Sequence, residues 1–332
     1  MLNRIVLVLA LVVPALLRAE PVEPVFISNL PQAEPLPQPV ELNTTNVAPP
    51  PASRQLGFTA SDLDVATRRR LKLRSAAALV VELGAGQLLY AKNTDAVMPI
   101  ASITKLMTAM VALDAGLPLD QPISIEPADV DTLKGTRSRL KVGMTLTRRE
   151  MLKLALMASE NRAASALARS FPGGMPAFVY AMNLKARDLG MRDTRFLDAT
   201  GLNPGNVSTA QDLAMMVNAG YQYPLIREFT TSTSHRVAFS DRRYQRVVAF
   251  RNSNGLVRSG RWDIGLSKTG YISEAGRCLV MQATIAAKPV IIVLLDSWGK
   301  FSRVADANRI KRWVEEIESG APSIRARRPR LG

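Results

Sequence analysis

Apolar and polar positions change period several times along this chain. Ala78–Leu83 and Gln87–Ala91 are short apolar, strand-like runs around Gly84-Ala85-Gly86, a hairpin pattern. From about Ser102 to Ala115 the apolar residues Ile103, Leu106, Met107, Met110 and Val111 recur at i, i+3, i+4, i+7 and i+8. That spacing predicts a helix with one buried stripe, ended by Gly116 and Pro118. Thr147-Arg148-Arg149-Glu150 has the form of a capping box, with helix expected over Met151–Ala158. Further helices fit Arg162–Ser170, Ala177–Leu189 and Thr209–Ala219, the last capped by Ser208 or Thr209. The pattern then returns to strands at Trp262–Ile272, Cys278–Ala286 and Pro289–Asp296. A helix over Arg303–Glu318 follows, with Val304, Ile310, Trp313, Val314 and Ile317 expected inward. No internal repeat is present.

Strands, helices, strands, helix is an α/β arrangement of the α+β kind. The terminal strands are expected to share one antiparallel sheet flanked by helices, with the middle forming an inserted all-helical lobe. The cleft between sheet and lobe is the natural place for a site.

Composition narrows the chemistry. The 332 residues are 47% hydrophobic and 5% aromatic, an ordinary globular balance. Cys278 is the single Cys and His235 the single His, so no intrachain disulfide can form and a His/Cys zinc site is not expected. A Ser-His-Asp triad would have to use His235, whose Thr-Ser-His-Arg setting reads as ordinary surface; a hydrolase here would draw its base from Lys, Asp or Glu. The net charge of +15 favours polyanions, but no RNP pattern, zinc-finger spacing or basic zipper points to nucleic acid.

The ends are distinct from the body. Met1–Arg4, the apolar run Ile5–Leu17 and Ala19 read as a secretory signal over residues 1–19, shorter than the ~20 residues that span a bilayer. Residues 20–57 are a Pro-rich linker, including Pro49-Pro50-Pro51. Residues 58–318 are the folded domain, and residues 319–332 a basic disordered tail. A periplasmic location is expected, with loose membrane association if the signal persists. Cys278 is then simplest as a buried small hydrophobe.

Ser-x-x-Lys occurs three times, at Ser102–Lys105, Ser138–Lys141 and Ser297–Lys300. Only the first sits on a predicted helix, where residues three apart share a face and the amine meets the hydroxyl by geometry. Ser159-Glu160-Asn161 is the single Ser-x-Asn, between two helices, and Lys268-Thr269-Gly270 the single Lys-Thr-Gly, on a strand. The ordered trio marks β-lactamases and penicillin-binding proteins. A Ser hydroxyl needs a base to become a good nucleophile. Lys105 can serve only when neutral, which requires a drop of about three pKa units, roughly 4 kcal/mol, supplied by burial and by a like charge such as Lys268.

The wider text resembles the low-molecular-mass penicillin-binding proteins, the D-alanyl-D-alanine carboxypeptidases and endopeptidases. The resemblance runs through Pro99–Met110, Leu154–Ala164, Thr200-Gly201-Leu202, Asn206–Leu213 and Leu266–Tyr271, covers roughly residues 75–318, and looks closest to the endopeptidase branch. It implies a β-lactamase/transpeptidase-like fold, peptidoglycan stem peptides as substrate and β-lactams as inhibitors, with no cofactor or metal and with other wall enzymes as candidate partners. It also implies roles: Ser102 as nucleophile, Lys105 as base, Ser159 as proton relay and Asn161 as orienting group. Lys268 supplies charge and, with Thr269, holds the substrate carboxylate; Gly270 is a further substrate-binding residue, and the amides of Ser102 and Tyr271 form an oxyanion hole. Cleavage of the D-Ala–diaminopimelate cross-link is expected, with terminal D-Ala removal as the alternative.

Two other readings stay open. A β-lactamase of class A needs a water-activating Glu beyond the Ser-x-Asn motif. Between Asn161 and Lys268 the single Glu is Glu228, in an unlike context. A non-catalytic wall-binding scaffold would use the basic surface. Arg137-Ser138-Arg139 and Arg251–Asn254 are cleft candidates without assigned roles.

Overall fold

The structure, a computed structural model, describes residues 71–241 and 244–319. The signal, the linker, the first residues expected in the folded domain and all of the basic tail but Ser319 lie outside the described residues.

Strands β1 (Ser75–Glu82) and β2 (Gln87–Lys92) form the expected hairpin. The Glu82 carboxylate closes the turn by accepting from the Gly84 and Ala85 amides at 2.6 and 3.2 Å. A 3₁₀ turn, Ala101–Thr104, leads into helix α1 (Lys105–Asp114). The lobe continues with α2 (Arg148–Lys153), α3 (Asn161–Arg169), α4 (Gly174–Asp188), α5 (Ala210–Gly220) and α6 (Pro224–Thr231). Strands β3 (Ser234–Asp241) and β4 (Tyr244–Arg251) make a separate hairpin, followed by the short helix α7 (Gly255–Ser259). Strands β5 (Asp263–Ile272), β6 (Gly276–Ile285) and β7 (Lys288–Ser297) then lead to α8 (Ser302–Glu318).

The five-stranded antiparallel sheet has the order β2-β1-β7-β6-β5, so both ends of the folded body meet where β1 pairs with β7. Alternate residues point to opposite faces of a strand. Leu79, Val81, Val280, Val293 and Leu295 face the helical lobe, whereas Val80, Leu279, Met281, Ile292 and Leu294 face Ala307, Ile310 and Val314 of α8. Burial on both faces explains why these strands read as near-continuous apolar runs.

Four expectations need correction. The 3₁₀ turn means that α1 starts at Lys105, not Ser102. Helix α1 is not a one-stripe helix either: Lys105 through Ala112 are all buried, because α3, α4 and α5 pack around it. The helix expected over Met151–Ala158 is α2 followed by a π-helical turn, Leu154–Ala158; its capping box is present, with the Glu150 amide 3.2 Å from Thr147 Oγ1. Ile317 is 42% exposed and lies outside the buried cluster that Ile310 and Val314 join. Helix α6 and the β3–β4 hairpin were not anticipated.

Candidate active site

Three elements converge on one buried cluster. The first is the 3₁₀ turn. In 3₁₀ geometry residues three apart eclipse one another, and Lys105 Nζ lies 2.7 Å from Ser102 Oγ. Lys105 is fully buried and donates twice more, to Asn161 Oδ1 at 2.7 Å and to the Thr200 carbonyl at 2.6 Å.

The second element is the π-helical turn of the lobe. It ends on Ser159, whose φ of 61° and ψ of 33° are left-handed. Such a conformation costs on the order of 1–3 kcal/mol in a non-glycine residue. The reversal starts α3 at Asn161, so Asn161 reaches Lys105 through Oδ1 while its Nδ2 donates to Thr136 Oγ1 at 2.9 Å.

The third is the edge strand β5. Lys268 is buried, pairs across the sheet with Val280 and shares its lobe-facing side. It donates to Ser159 Oγ at 2.9 Å. Thr269 Oγ1 donates to Ser253 Oγ at 2.7 Å. Gly270 lies against the 3₁₀ turn: a Cβ there would sit 2.8 Å from the Ile100 carbonyl and 3.2 Å from the Ser102 amide nitrogen. Any larger residue would push the strand off the turn.

Ser102, Lys105 and Asn161 thus form one hydrogen-bonded group and Ser159 and Lys268 a second, close enough that Lys105 acts on Lys268 as a like charge, with Thr269 and Gly270 at their edge. The Tyr271 ring is outside the cluster. It is 57% exposed, and the Arg277 guanidinium lies 4.6 Å from its centre. The remaining Ser-x-x-Lys copies are elsewhere. Ser138 Oγ donates to Glu160 Oε2 and Lys141 is exposed; Ser297 Oγ is 2.6 Å from Ser75 Oγ at the far end of β7. His235 is half-buried rather than a plain surface residue, because its strand packs near Lys153 and Glu150; its pKa is pushed down, first by burial and then by Lys153. Cys278 is buried, its thiol pushed up to about 11 by burial. Glu228 lies on α6, where it faces Lys153 at 3.7 Å.

Burial dominates the electrostatics. It lowers the Lys105 pKa to about 7, against the opposing pull of the Asp198 and Glu160 carboxylates. Burial also holds Lys268 well below the ordinary lysine value, with Lys105 and Arg303 adding like charge. Desolvation therefore does most of what a neighbouring cation was expected to do for Lys105.

Sequence reasoning missed two parts of this arrangement. The Thr200 carbonyl is held by a loop wound around Asp198, whose carboxylate accepts from the amides of Thr200, Gly201 and Asn203 at 2.7, 2.5 and 2.7 Å. Gly201 was the available signal: its φ is +78°, and a Cβ there would lie 1.9 Å from the Ala101 carbonyl oxygen. The second part is the Asp131–Lys141 segment, which bonds Asn161 through Thr136 and reaches Glu274 through Lys134. Of the unassigned candidates, Ser253 does line the cleft.

The arrangement has known counterparts. A family model described as D-alanyl-D-alanine carboxypeptidase matches residues 64–299. The D-alanyl-D-alanine endopeptidase of Pseudomonas aeruginosa is 48% identical over 264 residues, covering 78% of this chain and 84% of that protein. Among solved structures, the Streptomyces K15 DD-transpeptidase has a TM-score of 0.69 and 29% identity, covering 74% of this chain and 98% of that one. Penicillin-binding protein D2 of Listeria monocytogenes, solved in an ampicillin-bound form, has a TM-score of 0.63 and 30% identity with the same coverage.

Proposed function

Because the chain belongs to the D-alanyl-D-alanine carboxypeptidase family of peptidases, we propose that it is a serine DD-peptidase that cuts D-Ala–diaminopimelate cross-links of peptidoglycan through an acyl-enzyme on Ser102. The endopeptidase subtype rests on the relative from Pseudomonas aeruginosa.

One observation carries the mechanism. The Lys105 amine has three partners: Ser102 Oγ, Asn161 Oδ1 and the Thr200 carbonyl. As an ammonium it donates to all three. As a neutral amine it has two donors and one lone pair. Carbonyl oxygens cannot donate, so the lone pair can face Ser102 alone, and the serine hydroxyl turns to donate to Nζ. Neutral Lys105 is thereby poised to take the Ser102 proton.

Acylation then runs in balanced steps. Ser102 Oγ attacks the D-Ala carbonyl carbon as its proton passes to Lys105. The oxyanion is stabilised by the Ser102 and Tyr271 amides, an arrangement worth a few kcal/mol per donor in comparable sites. The C–N bond breaks, and the leaving amine takes the proton that Lys105 accepted, relayed through Ser159, which returns Lys105 to the neutral amine. Water next attacks the ester, Lys105 accepts its proton, and Ser102 recovers a proton as the acid leaves. Lys268 and Thr269 hold the substrate carboxylate. A β-lactam acylates the same serine but keeps its leaving amine tethered, which obstructs water, so inhibition rather than turnover is expected.

Export to the periplasm follows from the substrate and from the signal-like residues 1–19; no helix among the described residues is long and apolar enough to cross a membrane. Other wall enzymes as partners belong to the same proposal. The test is mass spectrometry after brief penicillin exposure, beside Ser102→Ala, followed by digestion of cross-linked muropeptides. A lasting adduct on Ser102, absent in the variant, with dimers converted to monomers, is the expected result. Intact penicillin without adduct would favour a scaffold; consumed penicillin without adduct, a β-lactamase.

A further inference from the structure

The chain has few aromatic residues, yet three large ones are exposed at one end of the sheet. Trp298 is 83% exposed, Phe301 70% and Tyr271 57%. Cross-strand register brings them together. Tyr271 pairs with Arg277, and Arg277 pairs with Ser297, the residue before Trp298. Adjacent strands lie about 4.8 Å apart, so the span from Tyr271 to Ser297 is about 10 Å. Arg303 fixes the start of α8 to this corner by donating to the Gly270 carbonyl at 3.0 Å. Two cations lie on the rings: Arg277 at 4.6 Å from the Tyr271 centre and Lys300 at 5.6 Å from the Phe301 centre. Clustered exposed apolar surface of this kind marks a binding face, and aromatic rings with polar neighbours suit partners that are part apolar and part wet.

The polarity of β5 says what reaches this face. With a substrate carboxylate at Lys268 and Thr269 and the reacting carbonyl beside Gly270, the acyl side of the substrate runs toward Tyr271 and the turn after it. We propose that Tyr271, Trp298 and Phe301, with Arg277 and Lys300, dock the saccharide strand from which the bound stem peptide hangs. The apolar faces of the sugar rings lie on the aromatic rings, and the cations meet carboxylates near the sugar–peptide junction. This assignment rests on the DD-peptidase reading for the direction of the chain.

The test uses the full chain and a Trp298→Ala/Phe301→Ala double variant, with Trp298→Tyr as the conservative control. The expected result is a loss of about tenfold in kcat/KM on cross-linked glycan strands. Cleavage of a sugar-free cross-linked peptide dimer and acylation by penicillin should stay within about twofold, which also shows that the cleft is folded. Ser102→Ala protein should bind peptide-free glycan strands, and adding the double substitution should weaken that binding, with Trp298→Tyr retaining most of it. Equal losses on sugar-bearing and sugar-free substrates, or no loss on either, overturn the proposal. So does wild-type binding to phosphatidylglycerol vesicles, or self-association, that the double variant loses while glycan binding is unchanged. If no wall peptide is cleaved but glycan binding still depends on Trp298 and Phe301, the peptidase reading fails and the saccharide surface stands.

Discussion

Ser102–Lys105 and Ser138–Lys141 have the same spacing and opposite fates. The first pair spans the 3₁₀ turn and the first residue of α1, with Lys105 fully buried and its amine 2.7 Å from the hydroxyl. The second lies in an irregular loop, where Lys141 is exposed and Ser138 bonds Glu160 instead. Spacing alone brings no chemistry. On the proposed mechanism, what would convert a serine and a lysine into a nucleophile and its base is burial, which lowers the amine pKa, and further acceptors, which fix where the lone pair can point.

The strongest way to break this contrast is to remove each lysine. Lys105→Met should slow acylation by penicillin by about 10²–10⁴-fold, the scale of losing a positioned base, whereas Lys141→Met should leave it within about twofold. Stopped-flow acylation rates measure both. Comparable losses at the two positions would show that the hydrogen-bonded triplet around Lys105 is not what matters.

A second effect is on stability. Folded Lys105 has its pKa lowered to about 7, from the ordinary lysine value of 10.5. Below about pH 7 both states are protonated and the folded state bears the full burial penalty. Between about 7 and 10 the unfolded chain holds the extra proton, so the wild type gains stability as pH rises, and above that window the penalty is gone. The shift corresponds to roughly 5 kcal/mol. Lys105→Met lacks this dependence, so its stability relative to wild type should be greatest near pH 7 and decline toward pH 10. Denaturant melts across that range test it, and parallel curves for the two proteins would refute the buried-amine account. In the same way, acylation by the wild type should rise with pH through about 7.

Gly201→Ala attacks the third acceptor of Lys105. The added methyl would overlap the Ala101 carbonyl at 1.9 Å on a backbone with φ of +78°. A cost of about 3 kcal/mol is expected, divided between stability and acylation because the loop must move away from the nucleophile turn. A variant with unchanged melting and unchanged acylation would mean that the Thr200 carbonyl does not hold the amine.

These residues also show what could be read from the chain beforehand. The sheet strands, α1, α3, α4, α5 and α8 were legible because buried apolar side chains recur at fixed periods. Ser102, Lys105, Ser159, Asn161 and Lys268 were legible because side-chain chemistry has a residue-type signature. Thr200 was not, since it acts through a backbone carbonyl that every residue possesses; Gly201 left the only trace. The π-helical turn before Ser159 was invisible because one extra residue in a helix barely disturbs its apolar pattern. The β3–β4 hairpin was passed over because alternation there, as in Arg236-Val237-Ala238-Phe239, is diluted by basic residues on its exposed face, although Val237 and Phe239 are buried.

The smallest expected effect sharpens the contrast from the other side. Ser138 is a poor nucleophile candidate, but it is not idle: its hydroxyl donates to Glu160 Oε2 and accepts from the Leu140 amide at 3.1 Å. Glu160 lies between Ser159 and Asn161, and its carboxylate is one of the two that pull the Lys105 pKa upward; burial raises its own pKa. Ser138→Ala leaves a half-buried carboxylate short of one donor, which should cost about 1 kcal/mol and raise the Glu160 pKa further. A carboxyl that is more often neutral pulls less on Lys105, so the midpoint of the acylation–pH profile should move slightly down while the plateau rate changes little. A collapse of the plateau would show instead that Ser138 takes part in the chemistry, and the two Ser-x-x-Lys segments would no longer be opposites.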